Sequence, residues 1–176
     1  LQLYTNKTKY IIFKLVNKQD YSFINVIFEG TTLEQVAEQK FLGVWFAEGL
    51  SWNCHVNKLK ADLSRVTGCI YRIHNLIPTW LKRTLYYSLF YSKISYGILV
   101  WGTTSAANYN KIILLQKKIL RMCENCKGDT RNLRTQPLFV KYNMLRGPAI
   151  IFKRLPFLRF SRLLGFGQAS GRGESS

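Results

Sequence analysis

Val56, Leu59, Leu63, Val66, Ile70, Ile73 and Ile77 recur at alternating intervals of three and four residues. A strand would scatter those side chains over both of its faces, whereas an α-helix gathers them on one. The interval predicts an amphipathic helix of about six turns. Ser51 is placed to open it as an N-cap and Pro78 to close it. The same period returns twice within residues 80–121. Leu81, Leu85 and Leu89 stand four apart, with Lys82, Arg83 and Lys93 off that line; Ile112, Leu115, Ile119 and Met122 follow at three, four and three. These intervals predict helices from Trp80 and from about Ala107, joined through the segment Tyr96-Gly97-Ile98-Leu99-Val100-Trp101-Gly102, apolar inside and basic outside.

Residues 1–48 lack that period. Short apolar runs at 10–13, 24–28 and 41–46 read as three strands of an antiparallel meander, with a turn at Gly30-Thr31-Thr32. Gly43, inside the third run, marks a bulge or a close approach of backbone to a neighbour. Three short strands cannot fold alone, so the sheet is expected to continue in chain not present here. Residues 136–145 suit one more short helix, and the Gly/Ser-rich end from 165 is read as disordered. The fold class is therefore α+β. The division is 1–48 (strands), 49–147 (helices) and 148–176 (a basic tail).

The charge is unevenly placed. Residues 1–48 hold five Lys and five Asp or Glu, and cancel; residues 49–176 hold the other 21 basic residues against four acidic ones, which is the whole net +17. Solubility needs a magnitude of only about 2 to 8 in a small domain. A basic, aromatic-rich helical region points instead to a polyanion, and most often to RNA or DNA. Four cysteines at 54, 69, 123 and 126 are too few for a disulfide scaffold in 176 residues. Cys54 and Cys69 read as small core residues. Cys123-Glu-Asn-Cys126 has C-x-x-C spacing without a second ligand pair, so no metal site is assigned. Reduced cysteines and an opening that mixes Lys with apolar residues suggest an intracellular chain, nuclear or cytoplasmic. Residues 84–101 approach the length of a membrane span, but Lys93 and several Ser and Tyr make lipid costly there. That stretch is read as core, and no membrane partner is expected.

Nucleotidyl transfer on two metal ions needs at least two adjacent carboxylates. The nine acidic residues stand singly, and no Gly-rich phosphate loop or nucleophile–base grouping occurs. On its own residues the chain is a binding module, or a piece of an enzyme whose metal site lies elsewhere.

Five motifs then occur in order: Lys7-Thr8-Lys9-Tyr10, Phe41-Leu42-Gly43-Val44, Ser51-Trp52-x-x-His55, Tyr96-Gly97-x-x-x-Trp101-Gly102, and Leu115-Gln116-Lys117-Lys118-Ile119-Leu120-Arg121. Over about residues 1–145 the series resembles the region just after the catalytic aspartates in reverse transcriptases of non-LTR (LINE-type, jockey-like) retrotransposons. The resemblance implies that residues 1–48 are the last strands of a polymerase palm and that the helices form its thumb. It makes Lys7 the candidate lysine beside the incoming triphosphate, where a cation can assist departing pyrophosphate. Leu42, Gly43 and Val44 become the primer-grip hairpin. On a thumb, Lys58, Lys60 and Arg65, with Lys117, Lys118 and Arg121, are the expected phosphate contacts. Tyr4 stands where the family has Asn, the aspartate-bearing strand is absent, and the match fades from Arg146.

The expected function is template–primer binding within an RNA-directed DNA polymerase, with RNA, DNA and an upstream palm and fingers as partners. Magnesium is expected for the intact polymerase and no cofactor for this fragment, which should be inactive alone. The competing readings are a stand-alone nucleic-acid-binding protein and a membrane-surface protein using the basic amphipathic end at 150–164.

Overall fold

The computed structural model describes residues 8–14, 24–124, 133–147 and 149–150. Helix α1 runs Asn53–Ile73 and buries Val56, Leu59, Leu63 and Ile70 on the expected face. It ends one turn early. Ile73 is exposed and Ile77 lies beyond the helix, because Pro78 disfavours helical backbone at the residue before it. Trp52, not Ser51, takes the N-cap position; Ser51 still serves the first turn, its Oγ accepting from Asn53 N at 3.2 Å. Cys69 is exposed and Cys54 only half-buried, so neither is the core residue that the sequence suggested.

The second helical rod differs more. It is α2 (Thr79–Leu85), a π-helical segment Tyr86–Tyr91, and α3 (Ser92–Ser95). Its buried side chains are Lys82, Tyr86, Phe90 and Ile94. The expected line Leu81, Leu85 and Leu89 lies one residue to the side, and Leu89 is exposed. Residues four apart drift by about 40° per step in an α-helix. The wider π-turns, in which Ser92 N donates to Tyr87 O, remove that drift and hold the buried line on one face. Lys82 belongs to this face. It is fully buried, and its Nζ donates to Met122 O at 3.1 Å.

Gly97, at φ +59°, turns the chain into α4 (Ile98–Trp101). Helix α5 follows at Ala106–Cys123, capped by Ser105, which accepts from Asn108 N. Helices α1 and α5 lie side by side in the same direction. Asn108 Nδ2 donates to Asn53 Oδ1 at 2.8 Å and Lys111 Nζ to Asn57 Oδ1 at 2.9 Å. Between them and the rod lies one apolar core, with Trp101, Tyr86 and Phe90 fully buried. Gln116 is buried there too. Its Nε2 donates to Tyr86 Oη at 2.9 Å and Leu145 O at 3.0 Å, and its Oε1 accepts from Gly147 N at 3.1 Å. Helix α6, Gln136–Lys141, is tied to the end of α5 by Lys141 and Tyr142, both bonded to Glu124.

The strands do not make an antiparallel meander. β1 (Lys9–Tyr10) pairs in parallel with β4 (Glu34–Gln35). β2 (Ile27–Phe28) and β3 (Thr31–Thr32) form one antiparallel hairpin, and β5 (Glu38–Phe41) and β6 (Val44–Ala47) another. The apolar run 41–46 is therefore not one strand. Leu42 (φ +44°) and Gly43 (φ +80°) form the two-residue loop between Phe41 and Val44, and two successive positive φ values are the type I′ signature.

That loop seats on the corner before α4. Tyr96 Oη donates to Leu42 O at 2.7 Å. A Cβ on Gly43 would lie 2.8 Å from Tyr96 Cε1, and one on Gly97 would lie 2.9 Å from Val44 Cγ2. The two glycines thus let hairpin and corner approach from opposite sides. Gly97→Ala combines a steric clash with a left-handed backbone and should cost about 1–3 kcal/mol in urea denaturation. Gly68→Ala, within α1 and facing open space, should instead be neutral or stabilise by up to about 1 kcal/mol.

Candidate nucleic-acid interface

Beneath the β5–β6 hairpin is a cleft of about 320 Å³, walled by Trp45, His55 and Tyr96 and by Lys40, Lys58 and Lys93. Each lysine comes from a different element: β5, α1 and α3. Lys40 is brought there by register, since it pairs across the hairpin with Trp45 and so shares its face. Lys58 Nζ lies 4.3 Å from the Trp45 ring centroid, a cation–π distance. Asp62 also lines the cleft, but its carboxylate meets Arg65 at 3.2 Å. Among the described residues no carboxylate pairs with Lys40, Lys58 or Lys93. The cleft is therefore strongly positive, with aromatic walls.

His55 sets the back of this cleft. Its Nδ1 accepts from Trp45 N at 3.4 Å, and its ring lies 5.4 Å from that of Trp101. Accepting at Nδ1 requires the neutral ring with its proton on Nε2, and Nε2 has no hydrogen-bond partner. Burial holds the imidazole pKa below its usual 6.5.

The six expected phosphate contacts do not lie on one face. Lys58 faces the cleft. Lys60 is two residues on, about 160° around the helix, and continues the Asn53–Asn57 line that meets α5. Lys118 continues the matching Asn108–Lys111 line on α5. Lys117 and Arg121, four apart, are both half-buried beside the exposed Leu114–Lys118 line of α5, and the buried Nε of Arg121 has no partner. Arg65 is exposed and engaged by Asp62. Gln116, in the same motif, is core rather than surface. Leu42, Gly43 and Val44 do form a hairpin, and the close neighbour of Gly43 is Tyr96. Lys7 lies outside the described residues, as does Cys126. Burial raises the Cys123 thiol to about 11, which opposes the thiolate that metal or redox chemistry needs.

Lys40 and Lys93 were not singled out by the sequence. Lys40 sits in the electrically neutral leader, and only the pairing across the Leu42-Gly43 turn moves it beside Trp45. Lys93 precedes Ile94 on a rod whose buried face was misplaced by one residue.

Comparison with known proteins bears on what this surface is for. Over 109 residues the chain is 31% identical to the probable RNA-directed DNA polymerase from transposon BS of Drosophila melanogaster, covering 56% of this chain and 11% of that one. Over 90 residues it is 32% identical to a retrovirus-related Pol polyprotein from a type-1 retrotransposable element of Bradysia coprophila, covering 48% of this chain and 9% of that one. The chain is related to retrotransposon reverse transcriptases. It spans about a tenth of the length of these curated relatives. No family model and no solved structure matches it. No helix among the described residues is long and apolar enough to cross a membrane.

The geometry at His55 carries a pH dependence. Its folded pKa is lowered, so below about pH 6.5 the unfolded chain binds the proton more readily than the folded one. Stability should fall as pH drops from about 6.5 toward the folded pKa, because protonation also removes the acceptor for Trp45 N. Thermal melts across that range should show the fall, and His55→Gln should flatten it.

Proposed function

We propose that this chain is the part of a retrotransposon reverse transcriptase that holds the template–primer duplex. In this reading residues 1–48 close the palm, Leu42, Gly43 and Val44 form the primer grip, and the helices are the thumb. The observation that carries it is the seating of the β5–β6 hairpin on the Tyr96–Gly97 corner. That contact fixes a tight turn beside a basic helical body, the arrangement a strand end and its duplex require. The relatives support the polymerase context. Basic residues on α1 and α5 would hold phosphates without reading bases. No two carboxylates are adjacent in the sequence, and no group of metal-holding side chains occurs among the described residues; in this reading an upstream palm would supply magnesium and catalysis, with Lys7 at the triphosphate side.

Affinity for an RNA–DNA duplex should then be sequence-independent, with a log–log salt slope of about −0.9 per phosphate neutralised. Changing Lys117, Lys118 and Arg121 together to Gln should lower affinity and make the slope shallower by about one for each phosphate no longer held. Changing Lys9 and Lys14 to Gln should do much less, because each already faces a carboxylate, Glu34 at 2.8 Å and Glu48 at 3.7 Å. Equal weakening by the two sets, per charge removed, would leave net charge as the whole explanation.

A further inference from the structure

We infer that the cleft under the β5–β6 hairpin takes one unpaired nucleotide of the bound nucleic acid, its phosphate among Lys40, Lys58 and Lys93 and its base against Trp45 and Tyr96. This deepens the reading above and rests on it: the duplex lies along the helices, and a single-stranded extension enters the cleft.

The shape excludes a duplex from the cleft itself. A cavity of about 320 Å³ matches a small ligand. A duplex displays its phosphates on a convex surface and keeps its bases stacked inside, so it needs an open face. The charge selects a phosphate. Three lysines from three separate elements line it, and the one carboxylate among the lining residues meets Arg65. The aromatic walls select a base as well. Positively charged grooves with exposed aromatic rings hold single strands by stacking, which is sequence-tolerant because every base has a π-face. Lys58 already sits over Trp45, so the ring is oriented before any ligand arrives. The Tyr96 hydroxyl is held by Leu42 O, and the backbone N–H of Trp45 by His55 Nδ1. Such anchoring reduces the ordering cost of binding.

The test uses fluorescence anisotropy with two probes, a blunt RNA–DNA duplex and the same duplex carrying a short single-stranded overhang. The overhang should tighten binding by about ten-fold, the scale of one stacked base. Lys40→Gln with Lys93→Gln should erase that advantage while leaving blunt-duplex affinity within about three-fold. Trp45→Leu removes no charge and should erase it too; should that variant melt early, the lysine pair decides alone. The Lys117, Lys118 and Arg121 triple variant should weaken both probes and keep the advantage. Equal affinity of the intact chain for the two probes, or equal weakening on both from the Lys40 and Lys93 changes, overturns the inference. An overhang advantage that persists while the triple variant binds duplex normally would instead sink the thumb reading and leave the cleft standing.

Discussion

The β5–β6 hairpin and the helical body interlock at the Tyr96–Gly97 corner. Val44 fits where a side chain on Gly97 would be, and the Tyr96 ring fits where one on Gly43 would be. Each glycine makes room for the other element's side chain, and the Tyr96 hydroxyl closes the contact on Leu42 O. Phe46 against Trp52, with ring centroids 5.7 Å apart, continues the same seam. The hairpin's own ladder spans four residue pairs, and a lone two-stranded hairpin is marginal in water. Its position therefore depends on the helical body, and the cleft exists only because the two are held at this separation. Leu-Gly-Val and Tyr-Gly are partner motifs for a steric reason independent of any ligand.

The helical half was legible from the sequence because its signal is long. Helix α1 repeats its apolar interval over five turns, and α5 places Ile112, Leu115, Ile119 and Met122 where they are found, in the core. The rod between them was legible as a helix but misread in rotation. Two adjacent lines, 81/85/89 and 82/86/90, share the same interval, and the leucines make the first look apolar. The fold chose the second because its polar atoms find partners: Lys82 at the carbonyl end of α5, and Tyr86 at Gln116. Such pairings are tertiary and leave no periodic trace. The strands were misread for the opposite reason. Ladders of two residues carry almost no alternation, and Leu at a positive φ disguises a turn that Asn-Gly would have announced.

The basic charge also reorganises once the chain folds. Read along the sequence, it begins after residue 48. In space, a lysine of the neutral leader joins two from the helices, while Arg65 and Lys141 are partly neutralised by Asp62 and Glu124. A count of charges along a segment is therefore a poor guide to where a phosphate would be held. Convergence of unpaired cations from separate elements is the better guide, since such groups repel one another unless an anion sits among them.

The π-helical segment has a consequence for how this chain tolerates changes of length. A π-turn holds one residue more than the α-turn it replaces, so residues 86–91 carry a built-in insertion. Losing one residue there would let the rod relax into plain α-helix. Because the α-turn closes with one residue fewer, everything beyond would keep its rotation about the rod. Tyr96 and Gly97 would stay under the hairpin, and Lys93 would stay at the cleft. Loops elsewhere can absorb insertions and deletions as ordinary variation. This rod can absorb one as well: a single-codon deletion among residues 86–91 would leave the hairpin seated, whereas the same deletion within α1 would rotate its far end by about 100°.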